Sequence, residues 1–207
     1  MKKIICYGDS NTFGYNPKDG SRFNESNRWT SVLQKNLGAE YEVINEGMCD
    51  RTGFVNNPKG WLFSAPKHFP DFISKSDNID IMVLWLGTND LQFQYDISFN
   101  TIENGLGSLI KLAKTKTEKI IIIPPVMLNE KVLEGYFKFQ FDKTSIIKSQ
   151  KVEKIYRKLA NDYHCGIFNI NKFTNPSDLD GLHYDENSHK IIANRLTVYI
   201  ENNNTIY

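Results

Sequence analysis

Long apolar runs, blocks of like charge, clustered cysteines and low-complexity tracts are all missing from this 207-residue chain. The amino terminus, Met1-Lys2-Lys3-Ile4-Ile5-Cys6-Tyr7, has a basic start. Its apolar run ends at Gly8 and Asp9, too soon for the core of a secretory signal. No later stretch approaches the length needed to span a bilayer. The three cysteines, Cys6, Cys49 and Cys165, are odd in number and far apart, which suits neither a disulfide framework nor the ligand spacing of a zinc site. A cytoplasmic protein is therefore expected. The 25 Lys and Arg nearly cancel the 24 Asp and Glu, and the signs are interspersed along the chain. That leaves no electrostatic footprint for nucleic acid or for an anionic membrane, and neither partner is expected. The densest basic segment, residues 111–119, reads as the solvated end of a helix.

What the chain does have is core material. Hydrophobic residues make up 40% of it, with 13 Phe, 10 Tyr and 3 Trp, too rich in aromatics for disorder. The length suits one domain over residues 1–207. Five short β-branched, apolar runs, at 3–7, 41–45, 79–86, 119–123 and 166–170, each end in a loop-forming residue. Helical patterns fall between them: Trp29, Val32, Leu33 and Leu37 share one face, as do Ile102, Leu106, Leu109, Ile110 and Ala113. The same spacing recurs at Val152, Ile155, Tyr156, Leu159, Ala160 and Tyr163, and at Ile191, Ile192, Leu196, Tyr199 and Ile200. Strands alternating with helices predict an α/β protein whose five-stranded, mainly parallel sheet is covered on both faces. Two stretches break the alternation: 54–72, with Pro58, Pro66 and Pro70, and 126–144, with Tyr136, Phe137, Phe139 and Phe141. Each follows the carboxyl end of a strand, so each is expected to wall or cover a pocket, the second being equally suited to a homo-oligomer contact.

Four loops carry chemistry-bearing residues. The first strand runs into Gly8-Asp9-Ser10-Asn11-Thr12-Phe13-Gly14. A serine at such a turn is exposed and assisted by outward amides, although Ser, Asn and Thr beside Gly also suit a phosphate cradle or a helix cap. Near the far end lies Asp178-Leu179-Asp180-Gly181-Leu182-His183-Tyr184-Asp185. A serine hydroxyl becomes a nucleophile when a neutral imidazole takes its proton and a carboxylate fixes the imidazole's tautomer; Asp180 and His183 supply both from one turn, unless the turn is an ordinary surface one. The third and fourth loops, Trp85-Leu86-Gly87-Thr88-Asn89-Asp90 and Asn45-Glu46-Gly47-Met48, each end a strand. A glycine amide at Gly47 and the side-chain amide of Asn89 are the donor types that stabilise a developing oxyanion, and each is also a common loop residue.

In conjunction and in this order, Gly8-Asp9-Ser10-Asn11, Gly47, Gly87-Thr88-Asn89-Asp90 and Asp180-Gly181-Leu182-His183 resemble the four blocks of the SGNH (GDSL-type) hydrolases, across nearly the whole chain. The surroundings of Ser10 and the segment Asn45-Glu46-Gly47-Met48-Cys49-Asp50-Arg51-Thr52 look nearest to its arylesterase and acyl-esterase branch. The resemblance implies a three-layer α/β/α, flavodoxin-like fold, Ser10 as nucleophile, His183 and Asp180 completing the triad, and an oxyanion hole of the Ser10 amide, the Gly47 amide and the Asn89 side chain. Two positions depart from the family pattern: Asn11 stands where Leu is expected, and Cys49-Asp50 where smaller residues are usual.

The expected activity is cleavage of a small carboxylic ester through an acyl-enzyme on Ser10, with no cofactor. An acyltransferase using the same site, or a non-catalytic flavodoxin-like module that binds phosphate or nucleotide, are the alternatives. Asp9 and Asp90 read as acceptors that fix loops, and Cys6 as core. Cys49 is close enough to the site for a reactive thiol. His68, His164 and His189 lack a paired motif. The spacing of Asp178, Asp180, His183, Asp185 and His189 matches no calcium loop or zinc helix, so no metal is expected.

Overall fold

The computed structural model describes residues 1–204. The apolar runs become β1 (Lys2–Gly8), β2 (Tyr41–Gly47), β3 (Ile81–Trp85), β4 (Ile120–Ile123) and β5 (Gly166–Ile167). All pair in parallel, in the order β2-β1-β3-β4-β5. This is the flavodoxin-like order, and the sheet is parallel throughout rather than mainly so. β3 and β4 are buried along their whole length, as is β1 from Ile4 onward. Runs such as Ile81-Met82-Val83-Leu84-Trp85 show no alternation for that reason: both faces are covered, so neither parity of position meets water.

The connections set the layers. After β1 comes the single turn α1 (Ser10–Phe13), then α2 (Trp29–Leu37); α3 (Ala65–Lys75) precedes β3 and α4 (Phe99–Ala113) precedes β4. α5 (Lys143–Lys151) and α6 (Glu153–Asp162) lead to β5, and α7 (Glu186–Asn204) closes the described chain. The chain leaves β1 for β2 on one side, then passes back across it to β3. Right-handed crossovers therefore put α2 and α3 on opposite faces. α2 packs on α7, while α3, α4 and α6 pack in series. Because the connections diverge on either side of β1, the loops after β1, β2 and β3 part at the carboxyl edge and leave the crevice where open α/β sheets bind ligands.

Two helices differ from the expectation. α3 lies inside the 54–72 excursion and runs beyond it, with Pro66 in its first turn and Pro70 within it; the prolines hide its periodicity, yet a proline in a first turn costs little because that amide has no helical partner anyway. α5 begins at the end of the second excursion, where Asp142 and Ser145 form a reciprocal cap. β5 is shorter than its apolar run. Phe168 still bonds to the Ile122 carbonyl, but Asn169 then caps a tight turn over Ile170–Lys172 and ends the ladder. No helix among the described residues is long and apolar enough to cross a membrane.

Candidate active site

β1 delivers Asp9 to the carboxyl edge in an extended conformation, where its Oδ1 accepts the Asn11 amide at 3.0 Å. That bond starts α1 with Ser10 as its first residue. Ser10 Oγ lies 2.9 Å from His183 Nε2, and the other ring nitrogen, Nδ1, lies 2.7 Å from Asp180 Oδ2. The second oxygen of Asp180 accepts the amides of Leu182 at 3.0 Å and His183 at 2.9 Å. One carboxylate thus shapes the loop and holds the ring. A carboxylate oxygen only accepts, so the ring proton sits on Nδ1 and Nε2 is left to accept from the serine hydroxyl. Gly181 makes the turn possible: it is left-handed (φ +69°), and a Cβ there would come within 2.5 Å of Asn129 Oδ1 and of the Val132 amide. Ser10 and His183 are only 7% and 2% exposed.

The donor side is arranged differently from the expectation. Asn89 opens a tight turn after β3; its Nδ2 donates to the Arg51 carbonyl at 3.1 Å, and its Oδ1 accepts from Gln92 Nε2 at 3.2 Å. One of its two amide hydrogens has no acceptor among the described residues. The Gly47 amide, by contrast, is spent on Asn45 Oδ1 at 3.0 Å, and Asn45 Nδ2 in turn holds the Thr12 carbonyl at 2.7 Å. A Cβ at Gly47 would sit 2.1 Å from the Phe13 amide nitrogen, so its glycine lets β2 approach α1. Asn89 meets the next turn instead. There Met48 bonds to the Gly8 carbonyl at 3.1 Å, Arg51 bonds back to Met48 at 3.2 Å, and Asp50 between them is left-handed (φ +62°).

Comparison with known proteins gives this geometry its setting. Residues 6–191 match the model of the GDSL-like lipase/acylhydrolase family. The chain belongs to that family. The aryl esterase of M. smegmatis superposes with a TM-score of 0.90 at 26% identity, covering 98% of this chain and 99% of that one. A carbohydrate acetylesterase family member from Sinorhizobium meliloti gives 0.86 at 27% identity, covering 97% and 98%. Est24, a carbohydrate acetylesterase from the same organism, shares the fold with a TM-score of 0.90 at 23% identity, covering 97% and 99%. No curated protein matches the chain in sequence. The chain is an esterase of this family, on its arylesterase-like branch.

Several residues of this esterase support the site in ways that the sequence blocks do not reveal. Asn11 bridges the loops on either side of the cleft: its Nδ2 reaches the Leu182 carbonyl and its Oδ1 the Tyr184 amide, each at 3.4 Å, flanking His183. Tyr15 stacks on the His183 ring with centroids 4.1 Å apart, and Phe137 lies at 5.4 Å. Phe137 belongs to the 126–144 excursion, whose Asn129 amide also bonds to the Gly181 carbonyl at 3.2 Å. Arg51, fully buried, donates from Nη1 to the carbonyls of Gly8 at 3.1 Å and Glu46 at 2.6 Å, and lies over the Tyr7 ring. It ties the ends of β1 and β2 together beneath Asn89. Such a role leaves no trace in sequence, since a lone arginine after a strand is ordinarily a surface residue.

The remaining ionisable groups are set by burial. Asp90 accepts the amides of Gly53 at 2.6 Å, Phe54 at 2.7 Å and Val55 at 3.1 Å, so it pins the start of the first excursion; burial nonetheless raises its carboxyl to about 6. Burial likewise pushes Asp9 up to about 7. The Cys49 thiol rises to about 11 through burial and then the charge of Asp50, away from the thiolate that a reactive cysteine needs. His189 is held neutral, its pKa lowered to about 3 by burial, while its Nδ1 accepts the Trp29 amide at 3.1 Å. His68 bonds through Nδ1 to the Tyr7 hydroxyl at 2.8 Å. A cavity of about 380 Å³ between α3 and α4, lined by Phe54, Pro66, Pro70 and Leu109, includes none of the residues around Ser10. Among the described residues no three His, Cys, Asp or Glu side chains come together as a metal-binding group.

Proposed function

We propose that this esterase cleaves small carboxylic esters by two-step acyl transfer with Ser10 as nucleophile, His183 as general base and acid, and Asp180 as the group that fixes the imidazole. The observation that carries the reading is the unbroken chain from Asp180 Oδ2 to His183 Nδ1 at 2.7 Å and from His183 Nε2 to Ser10 Oγ at 2.9 Å. Ser10 Oγ adds to the ester carbonyl as its proton passes to Nε2, the tetrahedral intermediate collapses, and the same proton leaves with the alcohol. Water then repeats the sequence on the acyl-enzyme, and the carboxylic acid departs. The oxyanion donors in this reading are the Ser10 amide, the free hydrogen of Asn89 Nδ2, and the amide of Asp50. Asp50 takes the place expected for Gly47, because the Gly47 amide is committed to Asn45 while the Asp50 amide has no acceptor among the described residues.

Tyr15 and Phe137 both lie against His183, and this crowding favours short acyl groups over long chains. Aryl acetates and acetylated sugars, in keeping with the names of the similar structures, are the substrate classes to try first. A series of p-nitrophenyl esters from acetate to octanoate tests the reading. Turnover should be highest for the shortest members and fall at least about a thousandfold in Ser10→Ala, as loss of a triad nucleophile does. Undiminished turnover in that variant, or none in the unaltered chain, contradicts it.

A further inference from the structure

Asp50 carries a carboxylate and a Cβ at a left-handed turn position, where glycine or asparagine is the ordinary choice. Two side chains of the following loop grip it. Asn57 Nδ2 donates to the Asp50 carbonyl at 2.7 Å, and Lys59 Nζ pairs with Asp50 Oδ2 at 2.6 Å. The grip is a single unit, since Asn57 Oδ1 also accepts the Lys59 amide at 2.9 Å. The carbonyl and carboxylate of Asp50 are therefore both taken, and only its amide is left to donate. The charge sits within electrostatic reach of the reacting groups. Tyr15, stacked on His183, has its hydroxyl pKa raised by burial first and then by the charges of Asp180, Cys49 and Asp50.

Acyl transfer gathers negative charge on the carbonyl oxygen, and a carboxylate on the very residue whose amide receives that charge opposes it. We propose that Lys59 is a positioning residue for the oxyanion donors: with Asn57 it holds Asp50 in the left-handed turn with its amide available, and it cancels the carboxylate that this chain places beside the developing charge. The proposal rests on the reading of the Asp50 amide as a donor given above. It assigns a purpose to the first excursion, which reaches the site through Lys59.

The test is steady-state hydrolysis of p-nitrophenyl acetate by the full chain and its Lys59→Met, Lys59→Arg and Asp50→Asn/Lys59→Met variants. Lys59→Met should lower kcat about tenfold with KM within about twofold, less than the loss of a whole oxyanion donor because the pair is partly exposed. Lys59→Arg should restore most of that loss, and the double variant should turn over faster than Lys59→Met alone, since removing the carboxylate removes the need for its partner. Lys59 is 57% exposed, so its replacement leaves the fold intact. An unchanged kcat in Lys59→Met, or a double variant as slow as the single one, overturns the proposal while the catalytic reading stands. An unaltered chain without activity overturns both.

Discussion

Asp180 spends one oxygen on the backbone of its own turn and the other on the His183 ring, so a single side chain fixes both the position and the tautomer of the imidazole. Asp180→Asn keeps the turn-forming oxygen but offers an N–H toward Nδ1, which moves the ring proton to Nε2 and removes the acceptor for Ser10. The kcat for p-nitrophenyl acetate should fall by about 10³ to 10⁴ with KM little changed, the scale expected for a wrong tautomer; a loss under about tenfold would show that Asp180 does not orient the ring. At this scale Ser10, Asp180, His183 and Asn89 were legible as candidates because each stands in a short local pattern whose residue types suit one chemistry, and the fold brings Ser10, His183 and Asp180 into one hydrogen-bonded chain. Gly47 was legible as a loop glycine and a candidate amide donor, but its close approach to α1, which leaves no room for a Cβ, was not. Asp50, Arg51 and Asn11 were not, because what matters in them is a backbone angle or a bridge between loops distant in sequence.

Elements carry the next set of consequences. The end of β2 touches α1 at Gly47, where an added methyl would lie 2.1 Å from the Phe13 nitrogen and 2.5 Å from the Thr12 carbonyl carbon. Neither atom belongs to a flexible side chain, so the strand or the Ser10 turn must shift. Gly47→Ala should destabilise the chain by about 1–3 kcal/mol, the usual cost of overpacking, read as a lower urea midpoint at unchanged m-value. An unchanged midpoint would mean that β2 and α1 are not locked together. The helices α2, α4, α6 and α7 were readable from apolar spacing because each buries one apolar stripe. α3 was hidden by its prolines, and α5, rich in Lys and Ser, has too narrow an apolar face to register; its start is marked only by the cap of Asp142 and Ser145.

For the whole molecule, the strand order does the decisive work. β1 lies between β2 and β3, so the loops that follow these three strands converge on one crevice, and the loop before α7 closes it by way of His183. The alternation of strands and helices pointed to a parallel sheet with two covered faces, but alternation alone does not specify the order β2-β1-β3-β4-β5 or say which loops meet. The same holds for the two excursions: their positions after strands marked them as walls, while their contacts, Phe137 on His183 and Lys59 on Asp50, depend on side-chain paths that no local pattern encodes. The central claim, that the convergence makes Ser10 a nucleophile activated by His183, is tested most directly by exposing the folded chain to a fluorophosphonate and weighing it intact. One phosphonate should add, on Ser10, and none to Ser10→Ala; a native chain that stays unmodified, or an adduct that persists in Ser10→Ala, would contradict the claim.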